Sequence, residues 1–470
     1  MNKKTITVFT LAMINMAAIG SVKNWPTIAE YGFSSLFYYL LAAIIFFIPT
    51  ALVSAELATG WPKSGGIFIW VKEAFGHRWG FLAIWLLWIE NVIWYPTALT
   101  FIAATLAYMF DPELATNKTF LLLTSVVIFW IMTIANFKGM KISGKISSFG
   151  MIFGTFIPAA VIIGLGAHWV FSGSPLQIQF NLENFIPNFS GIEQLVIFTG
   201  VLLSFCGVEM SAIHARDVQD PQRNFPRATL LTVLLIVGLS ILGVLAIAAV
   251  VPQSEISLTA GSMQAFVSFV SSYNLGFLIP VMAFLIVIGA VASLSTWIIG
   301  PSRGLLSAAQ HGDLPPYFRR LNKHGMPRRL LVLQALIVTV LSLVFLLMPT
   351  VNSAYWILLV MVAQSYLIIY ILMFAAAIKL QYKRPNVFRA YKVPGGKPGM
   401  WIVAGLGIIS SLFTLIIGFF PPAQFSTGNT TFYVGFLAIG MILFCTAPAI
   451  ILGFKKPSWS VKLEHEKTDE

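Results

Sequence analysis

The chain has 470 residues, 58% of them apolar and only 10% charged, with 39 phenylalanines, whereas soluble domains run near half apolar and about a quarter charged. A soluble fold of this length cannot hide so much apolar surface, but lipid can. The net charge of +12 would suit a nucleic acid, yet the charge follows the loops between apolar runs, and that pattern excludes such a partner.

Apolar runs of about 20 residues mark candidate membrane spans. They fall near residues 7–32, 36–58, 79–108, 119–137, 147–171, 191–214, 228–251, 275–302, 330–348, 353–378, 401–420 and 432–454. The expected fold is an all-α membrane protein of about twelve transmembrane helices. With the N-terminus inside, the inward segments hold 27 of the 29 lysines and arginines; Lys118 alone sits in an outward loop and Lys23 alone within a span. This positive-inside bias places both termini in the cytoplasm. No cleavable signal peptide is expected, because the first apolar run continues past helix breakers and lacks a small-residue cleavage site. Cys206 and Cys445 both fall in spans and read as buried small hydrophobes rather than a disulfide. The six histidines lack metal-ligand spacing, and no nucleophile motif or phosphate-binding loop appears. Neither an enzyme nor a cofactor is expected.

Two spans fail as ideal membrane helices. Span 1 carries Gly20, Lys23 and Pro26, and span 6 carries Gly207 beside Glu209. A break inside a span must line a cavity or be buried in protein. Breaks at spans 1 and 6, five spans apart, are the placement expected of two inverted repeats around a midplane binding site. A single break would equally suit a packing kink and a snorkelling charge.

Three stretches carry a resemblance. Ala55-Glu56-Leu57, Pro62-Lys63-Ser64-Gly65-Gly66 and Ala74-Phe75-Gly76 resemble the span 2 to span 3 signature of the amino acid–polyamine–organocation (APC) permeases. Ser204 to Glu209, followed by Asp220-Pro221-Gln222-Arg223-Asn224-Phe225-Pro226, resembles their second signature. Trp297 to Gly304, with Trp25-Pro26-Thr27 and Tyr391 to Lys397, is similar to the glutamate/γ-aminobutyrate antiporter branch. The resemblance implies a LeuT-type 5+5 fold with discontinuous helices 1 and 6. Residues 7–171 would form the first inverted repeat and 191–378 the second, with two further helices in 401–454 and a short cytoplasmic tail at 455–470. Ser293 stands where that branch has an acidic residue, and the longer C-terminal extension of the branch is expected to be missing. Substrate identity and pH gating by the tail therefore do not carry over.

The resemblance also distributes the site. The substrate carboxylate would lie against the unwound backbone at Gly20, Ser21 and Val22, where N–H groups and a helix N-terminus suit an anion. The ammonium would face carbonyls near Phe205, Cys206 and Gly207. Trp297 matches an aromatic turned toward substrate, and Asn91 matches the amide with which arginine/agmatine exchangers hold the far end of theirs. The buried charges Lys23, Glu90 and Glu209 are coupling or gating candidates, since ionisable residues in spans are rare and costly. Glu209 is read as a proton site or gate, with a structural hydrogen-bond acceptor as the alternative. Lys23 is expected either to approach Glu209 or to reach a carbonyl, a substrate carboxylate or water. Glu90 is read as a partner for a nearby polar group other than Asn91, which points about 100° away on the helix; contact with a cationic substrate end is the alternative. Ser295 and Thr296, with Ser293, form a candidate cation site with span 1 carbonyls, against simple helix–helix bonding. The Gly300-Pro301 step is expected to bend or end span 8.

The expected function is a secondary active amino acid transporter of the inner membrane, an antiporter working by alternating access. Alternatives are a proton- or sodium-coupled symporter, an arginine/agmatine-type exchanger and a membrane amino acid sensor. Expected partners are a small amino acid, membrane lipid and a coupled proton, with a homodimer left open.

Overall fold

The computed structural model describes residues 6–61, 66–138, 150, 152–187, 189–209 and 218–459. Among these the regular structure is helical, apart from one isolated parallel bridge between Ile6 and Val218. Among the described residues ten helices are long and apolar enough to cross a membrane. The expected twelve spans differ from this by the two broken ones, which are shorter pieces.

Span 1 divides into α1 (Val8–Ile19) and α2 (Trp25–Ala29), joined by a 3-10 turn at Val22–Asn24. Gly20 and Ser21 between them are extended, with ψ of 117° and 130°. A Cβ on Gly20 would stand 2.7 Å from the Met16 carbonyl oxygen, so the chain leaves the helix where only glycine fits. Pro26 begins the second piece in its first turn, where its missing N–H is no loss.

Span 2 comprises α3 (Ser35–Ala42) and α4 (Ile48–Gly60), with a π turn at Ala43–Phe47 between them. Pro49 follows directly, and the widened turn accommodates a residue that can neither donate nor tolerate the carbonyl one turn back. A loop helix, α5 (Ile67–Phe75), meets α6 (His77–Ala107) at a corner where Gly76 has φ +98°. Next come α7 (Lys118–Asn136), α8 (Ile157–Phe171) and α9 (Phe198–Leu203), the described helix of span 6. Beyond them lie α10 (Pro221–Val250), the outer loop helix α11 (Gly261–Ser271) and α12 (Ile279–Gln310). The chain closes with α13 (Arg328–Ser342), α14 (Val351–Lys383), α15 (Gly396–Ile417) and α16 (Thr430–Gly453).

Pro301 does not end span 8. It sits inside α12, which runs on to Gln310. Neither α5 nor α11 was expected, since each is too short to register as an apolar run.

The layering follows burial. The most apolar stretches of α14 and α6 are 83% and 78% buried, against 17% for α16, so the first two form the core and the last faces outward. On α7 the exposed residues Leu123, Val127, Ile131 and Ile134 recur at helical spacing, the stripe of a lipid-facing surface. The turn at Ile152–Phe156 crosses α12 at Gly154 and Gly289, where a Cβ on either would stand 2.2–2.4 Å from backbone of the other. Such backbone contact is characteristic of small-residue helix crossings in membranes.

At one end of the bundle, Arg389 joins the chain after α14 to α4. Its guanidinium lies 3.2 Å from Glu56 Oε1, with both side chains buried, and it also donates to Gln381 and to the Leu380 and Arg384 carbonyls. The remaining Glu56 oxygen accepts from the Val393 N–H at 2.7 Å. Burial lowers the Arg389 guanidinium from its ordinary value and the Glu56 carboxylate pulls it back up, leaving it charged at neutral pH.

Candidate substrate site

A cavity of about 530 Å³ opens beside the break in span 1. Six segments wall it, one of them the turn at Ile152–Phe156 through Gly154 and Thr155. The break contributes Gly20, Ser21, Val22, Lys23 and Asn24, and α6 contributes Glu90, Asn91, Trp94, Ala98 and Phe101. Leu203, Ser204 and Cys206 come from span 6; Ser293 and Trp297 from α12; Val362 and Tyr366 from α14. The α6 set recurs at intervals of three and four, one face of a helix.

The span 1 segment is held from several sides. The Ser21 hydroxyl accepts from the Lys23 N–H at 3.2 Å, a cap on the short turn. The Val22 carbonyl accepts from Ser262 Oγ on α11 at 3.1 Å. Gly261 beside it packs so closely on Pro26 that a Cβ would lie 2.7 Å from the ring. Farther along, Gln253 donates to the Glu30 carbonyl. The Gly20 N–H is engaged with Met16 O at 2.7 Å, so Gly20 lines the cavity without offering that donor to an anion.

Lys23 is 6% exposed. Its ammonium donates to Thr97 Oγ1 at 3.0 Å and stands over the rings of Trp94 and Tyr355, at 4.9 and 5.7 Å from their centres. It does not reach Glu209: among the described residues no carboxylate lies within 4 Å of it. The expected approach of the two charges across the site is therefore absent, each having found partners on a different helix, Lys23 on α6 and Glu209 on α14.

Glu209 is 3% exposed. One carboxylate oxygen accepts from Tyr366 Oη at 3.3 Å; the other accepts from Tyr370 Oη and from the Gly207 N–H, the latter at 3.2 Å. Tyr370 Oη also lies 2.9 Å from the Gly207 N–H. Gly207, at φ +108°, turns its N–H out of any helix, and Tyr370 and Glu209 satisfy it. Gly207 and Phe205 thus belong to the break but stand one layer behind the cavity, with the Phe205 ring stacked on Phe47 at 4.7 Å.

Glu90 and Asn91 both line the cavity, and Asn91 Nδ2 donates to Glu90 Oε1 as well as to Leu87 O. The expectation that neighbours about 100° apart cannot share a face fails here. The angle separates their Cβ atoms, but both side chains are long enough to close the gap. Trp297 lines the cavity with its ring centre 6.1 Å from that of Trp94, and its carbonyl accepts from Tyr95 Oη at 2.8 Å. Ser295 lies off the cavity, with its hydroxyl 3.4 Å from Asn136 Oδ1 on α7. The Thr296 side chain lies outside the described residues, as do residues 62–65 of the first signature.

Sequence reading missed Trp94, Thr97, Tyr355 and Tyr366. The first two were within reach by stepping from Asn91 along the same helix, whereas Tyr355 and Tyr366 look like ordinary core tyrosines until the break they serve is in view. No cluster of three or more histidine, cysteine or acidic side chains suited to a metal occurs among the described residues. Both cysteines are free. Among the described residues the cavity wall carries one cation, one carboxylate–amide pair, broken backbone and aromatic side chains.

A model of the amino acid permease family matches residues 5–444. A protein of Legionella pneumophila, described only as an uncharacterized transporter, is 47% identical over 95% of this chain and 96% of its own length. A glutamate/gamma-aminobutyrate antiporter of Lactococcus lactis is 35% identical over 96% of this chain and 91% of its own. A probable agmatine/putrescine antiporter of the same species is 22% identical over 96% and 95%.

Proposed function

The chain belongs to the amino acid permease family, and from that premise we propose that it exchanges an acidic amino acid for the amine left by its decarboxylation. It is a multi-pass membrane transporter rather than an enzyme. The observation that most supports glutamate/γ-aminobutyrate exchange is 35% identity, across nearly the whole chain, with antiporters of that name. Lys23, the one cation among the described residues that line the cavity, suits a substrate with a carboxylate.

In this reading residues 7–171 and 191–378 are inverted repeats that rock about the cavity, exposing it to each side of the inner membrane in turn. Both termini face the cytoplasm, and Glu209 takes part in any proton coupling. A second reading, exchange of cationic amines, is favoured by Glu90 at the cavity wall and by the more distant agmatine/putrescine relative.

Counterflow in proteoliposomes tests the reading. Labelled glutamate is expected to enter vesicles preloaded with γ-aminobutyrate or glutamate and not empty ones. Uptake into empty vesicles driven by a pH step would make the protein a symporter. Entry of labelled putrescine, and not of glutamate, into agmatine-loaded vesicles would establish the second reading.

A further inference from the structure

We propose that Lys23 selects the substrate, its ammonium receiving the carboxylate that an acidic amino acid and its α-decarboxylated product have in common. The inference rests on the exchange reading and adds to it a residue and a chemical class. Loss of the α-carboxylate from glutamate leaves the amine and the γ-carboxylate in place. One cavity that serves both partners must grip what they share, and a carboxylate at membrane depth requires a cation or several donors.

Among the described residues that line the cavity, Lys23 is the one cation. A lysine ammonium carries three donors. One is used, toward Thr97 Oγ1 at 3.0 Å. The Thr97 hydroxyl spends its own proton on Trp94 O at 2.8 Å, so it acts on Lys23 as an acceptor and holds the ammonium in place. The Trp94 and Tyr355 faces steady the charge without supplying an acceptor in line. No carboxylate of the described chain lies within 4 Å of the ammonium, and Glu90, the acid on the same wall, is engaged with Asn91. A buried ammonium without a counter-ion is costly, and a substrate carboxylate arriving through the cavity relieves that cost. A diamine, with an ammonium at each end, would place like charge against Lys23 and bind more weakly.

Binding to the purified full-length protein, set beside counterflow, tests this with paired ligands: glutamate against glutamine, and γ-aminobutyrate against 4-aminobutanamide. Each pair differs only in whether the distal group is a carboxylate or an amide. The parent is expected to prefer each acid by at least tenfold and to bind putrescine more weakly than either. Lys23→Met is expected to erase the acid-over-amide preference, and Lys23→Arg to keep most of it. A parent that binds acid and amide alike, or a Lys23→Met protein that still prefers the acids, overturns the proposal. The ligand pairs decide the matter on the parent alone should Lys23→Met fail to fold. Absence of counterflow with the acid-over-amide preference intact overturns the exchange reading and leaves Lys23 in its role. Counterflow without that preference does the reverse.

Discussion

At the scale of single residues, Glu209 is the most heavily bonded charge near the cavity. Its carboxylate gathers two tyrosine hydroxyls of α14 and the Gly207 N–H, tying the break in span 6 to the core. A carboxylate so placed both braces the break and can carry a proton, and the two roles separate by experiment. Glutamine copies the protonated acid in shape and charge. Glu209→Gln is therefore expected to run at every pH as the parent does at its acidic limb, with the pH dependence of exchange flattened. The thermal midpoint should stay within a few degrees. A pH profile that retained the parent's slope in proteoliposomes would reduce Glu209 to a brace. Glu209, Lys23 and Glu90 stood out in the sequence because charge is rare in apolar runs. Their partners did not, because Thr97, Tyr366 and Tyr370 are unremarkable on their own helices. Which side chain meets which is decided by helix packing, and that is not written in local pattern.

At the scale of elements, hydropathy located the long spans, though α12 runs eight residues past the expected end at 302, and missed what is short or amphipathic. The helices α5 and α11 are only 9 and 11 residues long, below the length an apolar run needs to be noticed. Pro301 was expected to bend or end span 8, and the helix does not end there, since α12 runs on to Gln310; proline is tolerated inside membrane helices where the freed backbone groups find other partners. Element junctions also hold stability. The Glu56–Arg389 pair fastens α4 to the segment after α14 with both side chains buried. Removing one member of such a pair costs about 3–5 kcal/mol, because the other charge is left uncompensated. Arg389→Met is expected to lower the thermal unfolding midpoint clearly in detergent, and Glu56→Met combined with it to recover part of the loss. A single variant as stable as the parent would show that Gln381 and the Val393 N–H suffice to hold Glu56.

At the scale of the whole molecule, charge asymmetry carries the prediction. With 27 of 29 basic residues on one set of loops, the orientation is expected to have both termini inside. In a background of Cys206→Ser and Cys445→Ser, Lys118→Cys should react with an impermeant maleimide on intact cells, and Lys323→Cys only after permeabilisation. The opposite labelling would invert the topology and with it the direction of exchange. The loop helix α11 has a meaning at this scale as well. Ser262 on α11 holds the Val22 carbonyl, and Gly261 packs on Pro26, so this loop is wired into the broken backbone beside the cavity. A change of side chain at either position is thereby transmitted to the residues that line the cavity.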